Sequence, residues 1–443
     1  MPGASRWRRS GAQRLPSMSP VAYETPPTPP DAPHPEPPLA GLLALARRHW
    51  RTVAYALLGV QLLLVVFDRI YLPFGFSFGS RSFARNVALF MILGIVLGAH
   101  GLPRFRSTLL RPLLVFLLAA TLSVATSGSK WGDVNSLAAM IGLFVGARSI
   151  AELADGRRWL FHWLGVLAFT TVALEVLQNP SILQLREELR GTTVTAHPNT
   201  LGVFFAMVAP IFITRIRDPE DGLVATAYAA CTLLGATFTF SRLAWSALLL
   251  GALVIAFAGR PLRRRGVVAS GVVLAAAVGG AIAQLSLGRS AADWQRLRII
   301  NTSLTLFREH WLFGIGFGTG NLAQQFPARY IELYGSSLFL FHSHNMYVDI
   351  LVGTGALGGA AMCWLLWRLV QVALRCLEAA RRQPALRLTA SGLAATVAVF
   401  LFVGVGDMPL YHSKITFPLA IIWGLMEGWL SRGSAGSPRE AIP

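Results

Sequence analysis

The sequence predicts an all-α, polytopic membrane protein with about 12 transmembrane helices and one long periplasmic loop containing amphipathic helices. Three observations predict it. Of the 443 residues, 54% are hydrophobic and only 14% charged, with a mean hydropathy of +0.53; a water-soluble domain carries about 25% charged residues. Apolar runs of roughly spanning length, about 20 residues, follow one another from residue 50 onward. The net charge of +18, from 39 basic and 21 acidic residues, is spread unequally between alternate connections. Positive charge collects on the cytoplasmic side of membranes, so on so apolar a chain it signals topology rather than nucleic acid.

Residues 1–50 are expected to form a disordered, Pro-rich cytoplasmic tail, with ten prolines between Pro16 and Pro38. Such a composition cannot bury a core. No cleavable signal sequence is expected, because the first apolar run starts near Val53, after this polar stretch. Residues 51–285 hold transmembrane helices 1–9, over the runs 52–68, 83–99, 107–126, 134–150, 159–178, 199–216, 222–240, 242–259 and 266–285. A large loop covers 286–344. Helices 10–12 follow within 345–431, over 345–372, 388–406 and 414–430, and residues 432–443 form a cytoplasmic tail. Helices are required because isolated strands leave backbone groups unsatisfied in lipid. Gly, Ala and Ser recur inside the runs, as in Gly271–Gly280, where they allow close helix packing. Cys231, Cys363 and Cys376 have no nearby partners in sequence and read as small buried apolar residues.

With the N-terminus placed in the cytoplasm, 26 Lys and Arg fall on the cytoplasmic side and 13 on the other. That excess supports cytoplasmic N- and C-termini, and makes Arg260-Pro-Leu-Arg-Arg-Arg265 an orientation anchor. Two outward loops stand out, 179–198 and 286–344. The second holds amphipathic segments such as Trp294 to Trp311, and long loops with structure of their own are usually functional.

The most specific string closes that loop: Phe341-His342-Ser343-His344-Asn345-Met-Tyr347-Val-Asp349-Ile-Leu-Val-Gly353-Thr-Gly355-Ala-Leu-Gly358-Gly359. Histidine exchanges protons near neutral pH, and the glycines would let a neighbouring helix approach. From the residues alone the histidines fit a catalytic or substrate-binding role, a structural role, or metal ligation with Asp349 as third ligand. Side chains at i and i+2 of an extended segment point apart, which counts against the metal.

Arginines on the outward side form a second constellation. Arg242 sits in Thr239-Phe-Ser-Arg242-Leu-Ala-Trp245, a turn expected to bury it between two spans; Arg296 and Arg298 lie on the amphipathic stretch from Trp294; Arg190 precedes Gly191-Thr-Thr-Val-Thr-Ala-His197-Pro-Asn199. Guanidinium groups keep their charge and grip phosphate oxygens bidentately. Each would otherwise meet lipid headgroups or a local carboxylate. Gly314-Ile-Gly316-Phe-Gly318-Thr-Gly320 follows no strand, so a dinucleotide fingerprint is rejected. Asp218-Pro-Glu220-Asp221 is too short and isolated to argue a nucleotide-sugar metal site.

Taken together, these strings resemble the O-antigen ligase family, which is related to O-antigen polymerases and protein O-oligosaccharyltransferases. The resemblance rests on His344-Asn345, nine residues, Gly355, two residues, Gly358; on Arg296-Leu-Arg-Ile-Ile followed by Phe307-Arg-Glu-His310-Trp311-Leu-Phe-Gly314-Ile-Gly316-Phe-Gly318; and on Thr-Phe-Ser-Arg242 and Arg190…His197-Pro-Asn199. It covers roughly residues 50–430, and family members commonly have proline where this chain has Trp311. It implies transfer of O-antigen polysaccharide from undecaprenyl pyrophosphate to the lipid A–core oligosaccharide at the periplasmic face of the inner membrane, inverting and without metal, cofactor or nucleic acid. His344 would act as general base. Arg242, Arg296 and Arg190 would stabilise the pyrophosphate, with Asn345, His342, Tyr347, Arg298, His197 and Asn199 in support. A polymerase or a protein O-oligosaccharyltransferase using the same lipid-linked donor is the near rival. A lipid-linked sugar transporter is the distant one, since it would favour two similar halves with broken helices and no internal repeat is visible.

Overall fold

The computed structural model describes residues 107–152, 155–178, 198–258, 290–340, 342–381 and 387–435. The expected tail, the runs 52–68, 83–99 and 266–285, and Arg190 and His197 lie outside the described residues. Among those described there are helices and no strand. In order they are α1 (Leu110–Ser127), α2 (Gly132–Ala151), α3 (Gly156–Gln178), α4 (Pro198–Ile213), α5 (Gly222–Phe238), α6 (Arg242–Phe257), α7 (Ser290–Glu309), α8 (Thr319–Tyr334), α9 (Met346–Arg381), α10 (Arg387–Gly406), a 3-10 turn (Pro409–Tyr411) and α11 (Ser413–Ala435). Nine of the twelve expected runs are therefore helices here. Five, namely α1, α2, α3, α9 and α10, contain stretches long and apolar enough to cross a membrane; α4, α5, α6 and Ile415–Ser431 of α11 are shorter apolar helices.

Of the five helices of spanning length, α2 is the most enclosed. Fully 83% of its spanning window is buried, against 39% for α1, because it is apolar on all sides and needs no lipid-facing stripe. It packs closely on α11 through small residues: a Cβ added at Gly424 would lie 2.7 Å from the Arg148 nitrogen, and one at Gly428 would lie 2.5 Å from the Ala151 Cβ. This Gly-x-x-x-Gly spacing brings the two backbones together.

The helix ends sort into two levels. At one, Arg148 pairs with Glu152 (3.1 Å) and Glu427 (3.2 Å), while Glu427 also accepts the Thr108 and Leu109 N–H groups ahead of α1. Arg158 meets Asp221 (2.8 Å), and Arg215 meets Asp218 (3.0 Å) and Asp221 (3.1 Å) while stacking on Phe161. The Asp218–Asp221 string is thus the acidic half of an ion-pair network. At the opposite level lie the C-terminus of α1, the starts of α2, α6 and α9, the end of α10, and both loop helices.

Within the long loop, α7 and α8 pack as a pair around Ile299, Leu306, Ile315, Leu322, Phe326 and Tyr330, with Val352 of α9 closing the cluster. The loop does not stay outside the helices. Gly355 interrupts α9 with φ 66° and ψ −167°, about 14 Å along the helix at 1.5 Å per residue. Segment 311–316 fills the break. Ala356 donates to the Trp311 carbonyl (2.7 Å), Leu357 to Leu312 (3.4 Å), Ile315 to Val352 (2.9 Å) and Gly316 to Gly353 (3.0 Å). Irregular backbone inside a membrane protein survives only when paired in this way. A Cβ at Gly314 would come within 2.5 Å of the Gly353 backbone, and one at Gly355 would collide with the Leu312 carbonyl. The glycines of α9 were expected to admit a neighbouring helix; they admit the loop's own glycine string instead.

Candidate functional site

The candidate site is built where the long loop turns into α9. Asn345 caps that helix, its Oδ1 accepting the Tyr347 and Val348 N–H groups, both at 3.1 Å. An asparagine side chain satisfies orphan N–H groups at a helix start well. Its Nδ2 donates to the Val405 carbonyl at the end of α10 (3.1 Å), and the Tyr347 hydroxyl donates to the Leu401 carbonyl (2.7 Å). Asn345 and Tyr347 therefore tie α9 to α10. One residue earlier, His344 adopts φ 58°, an uncommon conformation for a residue other than glycine. The Ser343 N–H donates to Asp349 Oδ1 (2.7 Å), holding the turn from below. Asp349 is 3% exposed, and its Oδ2 has no hydrogen-bond partner among the described residues.

The left-handed turn swings both histidines to one side. Their ring centroids lie 4.4 Å apart, and the His344 N–H donates to His342 Nδ1 at 3.2 Å. That bond makes Nδ1 an acceptor, so the neutral His342 ring carries its proton on Nε2. Asp407, beyond the end of α10, brings Oδ1 to 4.0 Å from the same Nδ1, and His412 lies edge-on to His342 with ring centroids 6.1 Å apart. The Asp407 Oδ1 is itself fixed by the Met408 N–H (2.8 Å). Nearby, burial holds the Tyr411 phenol well above its ordinary pKa, and the Asp349 and Asp133 carboxylates push the same way, which keeps the hydroxyl neutral.

Side chains at i and i+2 diverge only along an extended segment, and His344 is not extended. Ligand atoms of His342, His344 and Asp407 all lie within 4.8 Å of one another. Asp407, not Asp349, is the third member of that group; Asp349 is engaged with the Ser343 backbone.

The arginines are placed differently from expectation. Arg242 is exposed as the first residue of α6, not buried between two spans. Ser241 caps that helix, accepting the Ala244 N–H (3.4 Å), so the guanidinium leaves from the helix start. Its neighbour Leu243 packs on Gly406, where a Cβ would lie 3.0 Å from Leu243 Cδ1. Arg242 thus stands on the same rim as Asn345 and Asp407. The start of α4, with Asn199 half-buried, joins it through Gly202, which packs on Thr239, Ser241 and Ala244. Arg296 and Arg298 are exposed on α7, and Arg298 stacks over Tyr334 at 5.0 Å from the ring centre. No described contact brings those two to the histidines.

Sequence reasoning missed Asp407 and His412. Both lie in Gly406-Asp407-Met-Pro-Leu-Tyr411-His412, a polar interruption between two apolar runs, which was the available signal. It also missed Glu175, a carboxylate 4% exposed in the last turns of α3 beside Leu201 and Thr239.

Residues 227–363 match the family model described as O-Antigen ligase. The matched stretch runs from within α5 through the Arg242 turn and the loop helices to the first turns of α9, so it includes Arg242, Arg296, Arg298, His342, His344, Asn345 and Tyr347. No curated protein matches the chain. Over residues 227–363, about a third of its length, this helical chain is similar to the O-antigen ligase family.

Proposed function

We propose that the protein transfers O-antigen polysaccharide from undecaprenyl pyrophosphate to the lipid A–core oligosaccharide at the periplasmic face of the inner membrane. The observation that carries this reading is the rim where His344, half-buried and held by the Asp349–Ser343 and Asn345 contacts, shares the end of α10 with Arg242. In the reaction, a hydroxyl of the core sugar attacks the anomeric carbon, the bond from that carbon to the pyrophosphate oxygen breaks, and the hydroxyl proton passes to the His344 ring. A base at this point matters because an alcohol is a poor nucleophile. The leaving pyrophosphate gains charge as it departs, and Arg242 meets it, with Arg296 and Arg190 in support. Direct displacement inverts the anomeric centre. His342 and Asp407 orient the turn, and Asn345 and Tyr347 fix it to α10.

The histidine rim then faces the periplasm, and the arginine-rich level around Arg148, Arg158 and Arg215 faces the cytoplasm, in keeping with the positive-inside bias. On this topology residues 1–50 and 432–443 are cytoplasmic, 51–285 and 345–431 span, and 286–344 is the periplasmic loop.

Lipopolysaccharide from a deletion strain tests the assignment. Loss of the protein should leave long polymer unligated and the lipid A–core unsubstituted, with complementation restoring both. Single-unit chains on the core would instead make the protein a polymerase.

A further inference from the structure

We propose that His342, His344 and Asp407 bind one divalent transition-metal ion of the zinc type, and that this ion inhibits the enzyme by occupying the nitrogen lone pair on which His344 depends. The second half of the proposal rests on the general-base reading above; the first half does not.

The geometry points to such an ion. The three ligand atoms lie within 4.8 Å of one another. Zinc–nitrogen and zinc–carboxylate bonds are about 2.1 Å, so two ligands on one ion stand roughly 3.4 Å apart in a tetrahedron. The His342 Nδ1 to Asp407 Oδ1 separation is already 4.0 Å. An ion held by His342 Nδ1 takes the lone pair that otherwise accepts the His344 N–H, so rotation of the His342 ring toward Asp407 accompanies binding. Two further features favour assembly. The left-handed His344 places both rings on one side, and Asp407 is anchored by the Met408 N–H, as the supporting contacts of metal carboxylates are. Two imidazoles and one carboxylate suit zinc, copper, nickel or cobalt, whereas magnesium and calcium take oxygen ligands. Three protein ligands leave a fourth position for water, and the His412 ring edge stands close by.

The test uses the full chain, purified without a histidine tag in detergent micelles. Titration calorimetry with zinc chloride should show one ion per chain, and magnesium chloride should give no binding heat. His342→Ala and Asp407→Asn should each weaken zinc binding by at least about tenfold, since even supporting residues of a metal site are worth about 10–100-fold. A companion measurement needs no variant. Zinc should protect His342 and His344 of the wild-type protein from diethyl pyrocarbonate, while His310, exposed at the end of α7, reacts at an unchanged rate. Absence of a one-equivalent zinc site, wild-type affinity retained in both variants, or unprotected histidines would overturn the site. In the transfer reaction zinc should inhibit and EDTA should restore the rate; stimulation by zinc would overturn the inhibitory role. If the protein transfers no glycan at all, the proposed function fails while calorimetry still decides the metal site.

Discussion

Replacing Gly355 by alanine should be among the most damaging single-methyl changes in the protein, and the structure supplies the terms. At φ 66° and ψ −167° the backbone occupies a region that is essentially glycine-only and costs other residues about 1–3 kcal/mol. The added Cβ would also collide with the Leu312 carbonyl and lie 2.6 Å from the Phe313 nitrogen. These are backbone atoms, so no rotamer relieves the clash. Segment 311–313 must move away, which gives up the Ala356–Trp311 and Leu357–Leu312 hydrogen bonds. Each is worth about 1 kcal/mol net, and more where freed groups meet no water. The expected cost is about 3–5 kcal/mol. Gly128 provides the comparison. It has the same φ of 66° at the end of α1 but nothing within 4 Å of its Cβ, so Gly128→Ala should cost only the conformational share, about 1–2 kcal/mol. Denaturant unfolding of both variants in the same mixed micelles measures the difference, and glycan transfer is assayed alongside. Equal stability of the two variants, within about 0.5 kcal/mol, would refute the role given to the loop inserted into α9.

Arg242→Lys should reduce transfer at least about tenfold while leaving stability unchanged, because an exposed residue loses its bidentate fork but not its charge; undiminished transfer would remove the pyrophosphate contact. Asn345→Ala should cost about 1 kcal/mol through loss of the α9 cap and slow transfer as the His344 turn loosens, whereas Asn345→Asp keeps the cap and loses only the Nδ2 bond to the Val405 carbonyl; thermal unfolding and rates measured together separate the cap from the tie to α10. At the opposite end, burial alone would raise the Asp218 carboxyl, but hydrogen bonds from Arg215 and the Glu220 N–H and the Arg215 charge outweigh it and hold its pKa below the ordinary value. A carboxylate lowered on folding stabilises above its unfolded pKa and loses that contribution as pH falls through the folded one. Asp218→Asn should therefore melt below wild type at pH 7, and the difference should start to shrink near pH 4, the ordinary carboxyl value, and vanish only once pH falls below the lowered folded pKa; a difference independent of pH would contradict it.

The helices were readable because burying apolar runs is what a bilayer demands. The run 388–406 became Arg387–Gly406, and 222–240 became Gly222–Phe238. Hydropathy reports the membrane rather than the helix, so α9 was expected to stop near residue 372 although it continues to Arg381. The run 134–150 is among the weakest spans by sequence, yet as α2 it is the most enclosed of the five helices of spanning length, since even apolarity does not say which neighbours cover it. The two glycine strings were visible separately. That Gly314 and Gly316 lie against Gly353 and Gly355 depends on a pairing about 40 residues apart in sequence, which no local pattern encodes. Within the site, the histidines and Asn345 stood out by type and spacing. Their mutual orientation turned on one positive φ at His344, a residue for which sequence gives no reason to expect it. Asp407 escaped notice because a single acid between two apolar runs resembles any loop.

The central claim is that His344 accepts the proton in a covalent glycan transfer between two lipids. The most direct measurement mixes the purified protein in detergent with undecaprenyl pyrophosphate-linked O-antigen and lipid A–core, and follows the joined product by gel and mass spectrometry. Wild type should form it without added metal or nucleotide, and His344→Ala, folded and pure, should form none. Product from His344→Ala at the wild-type rate, or no product from the wild type with both substrates present, would contradict the account.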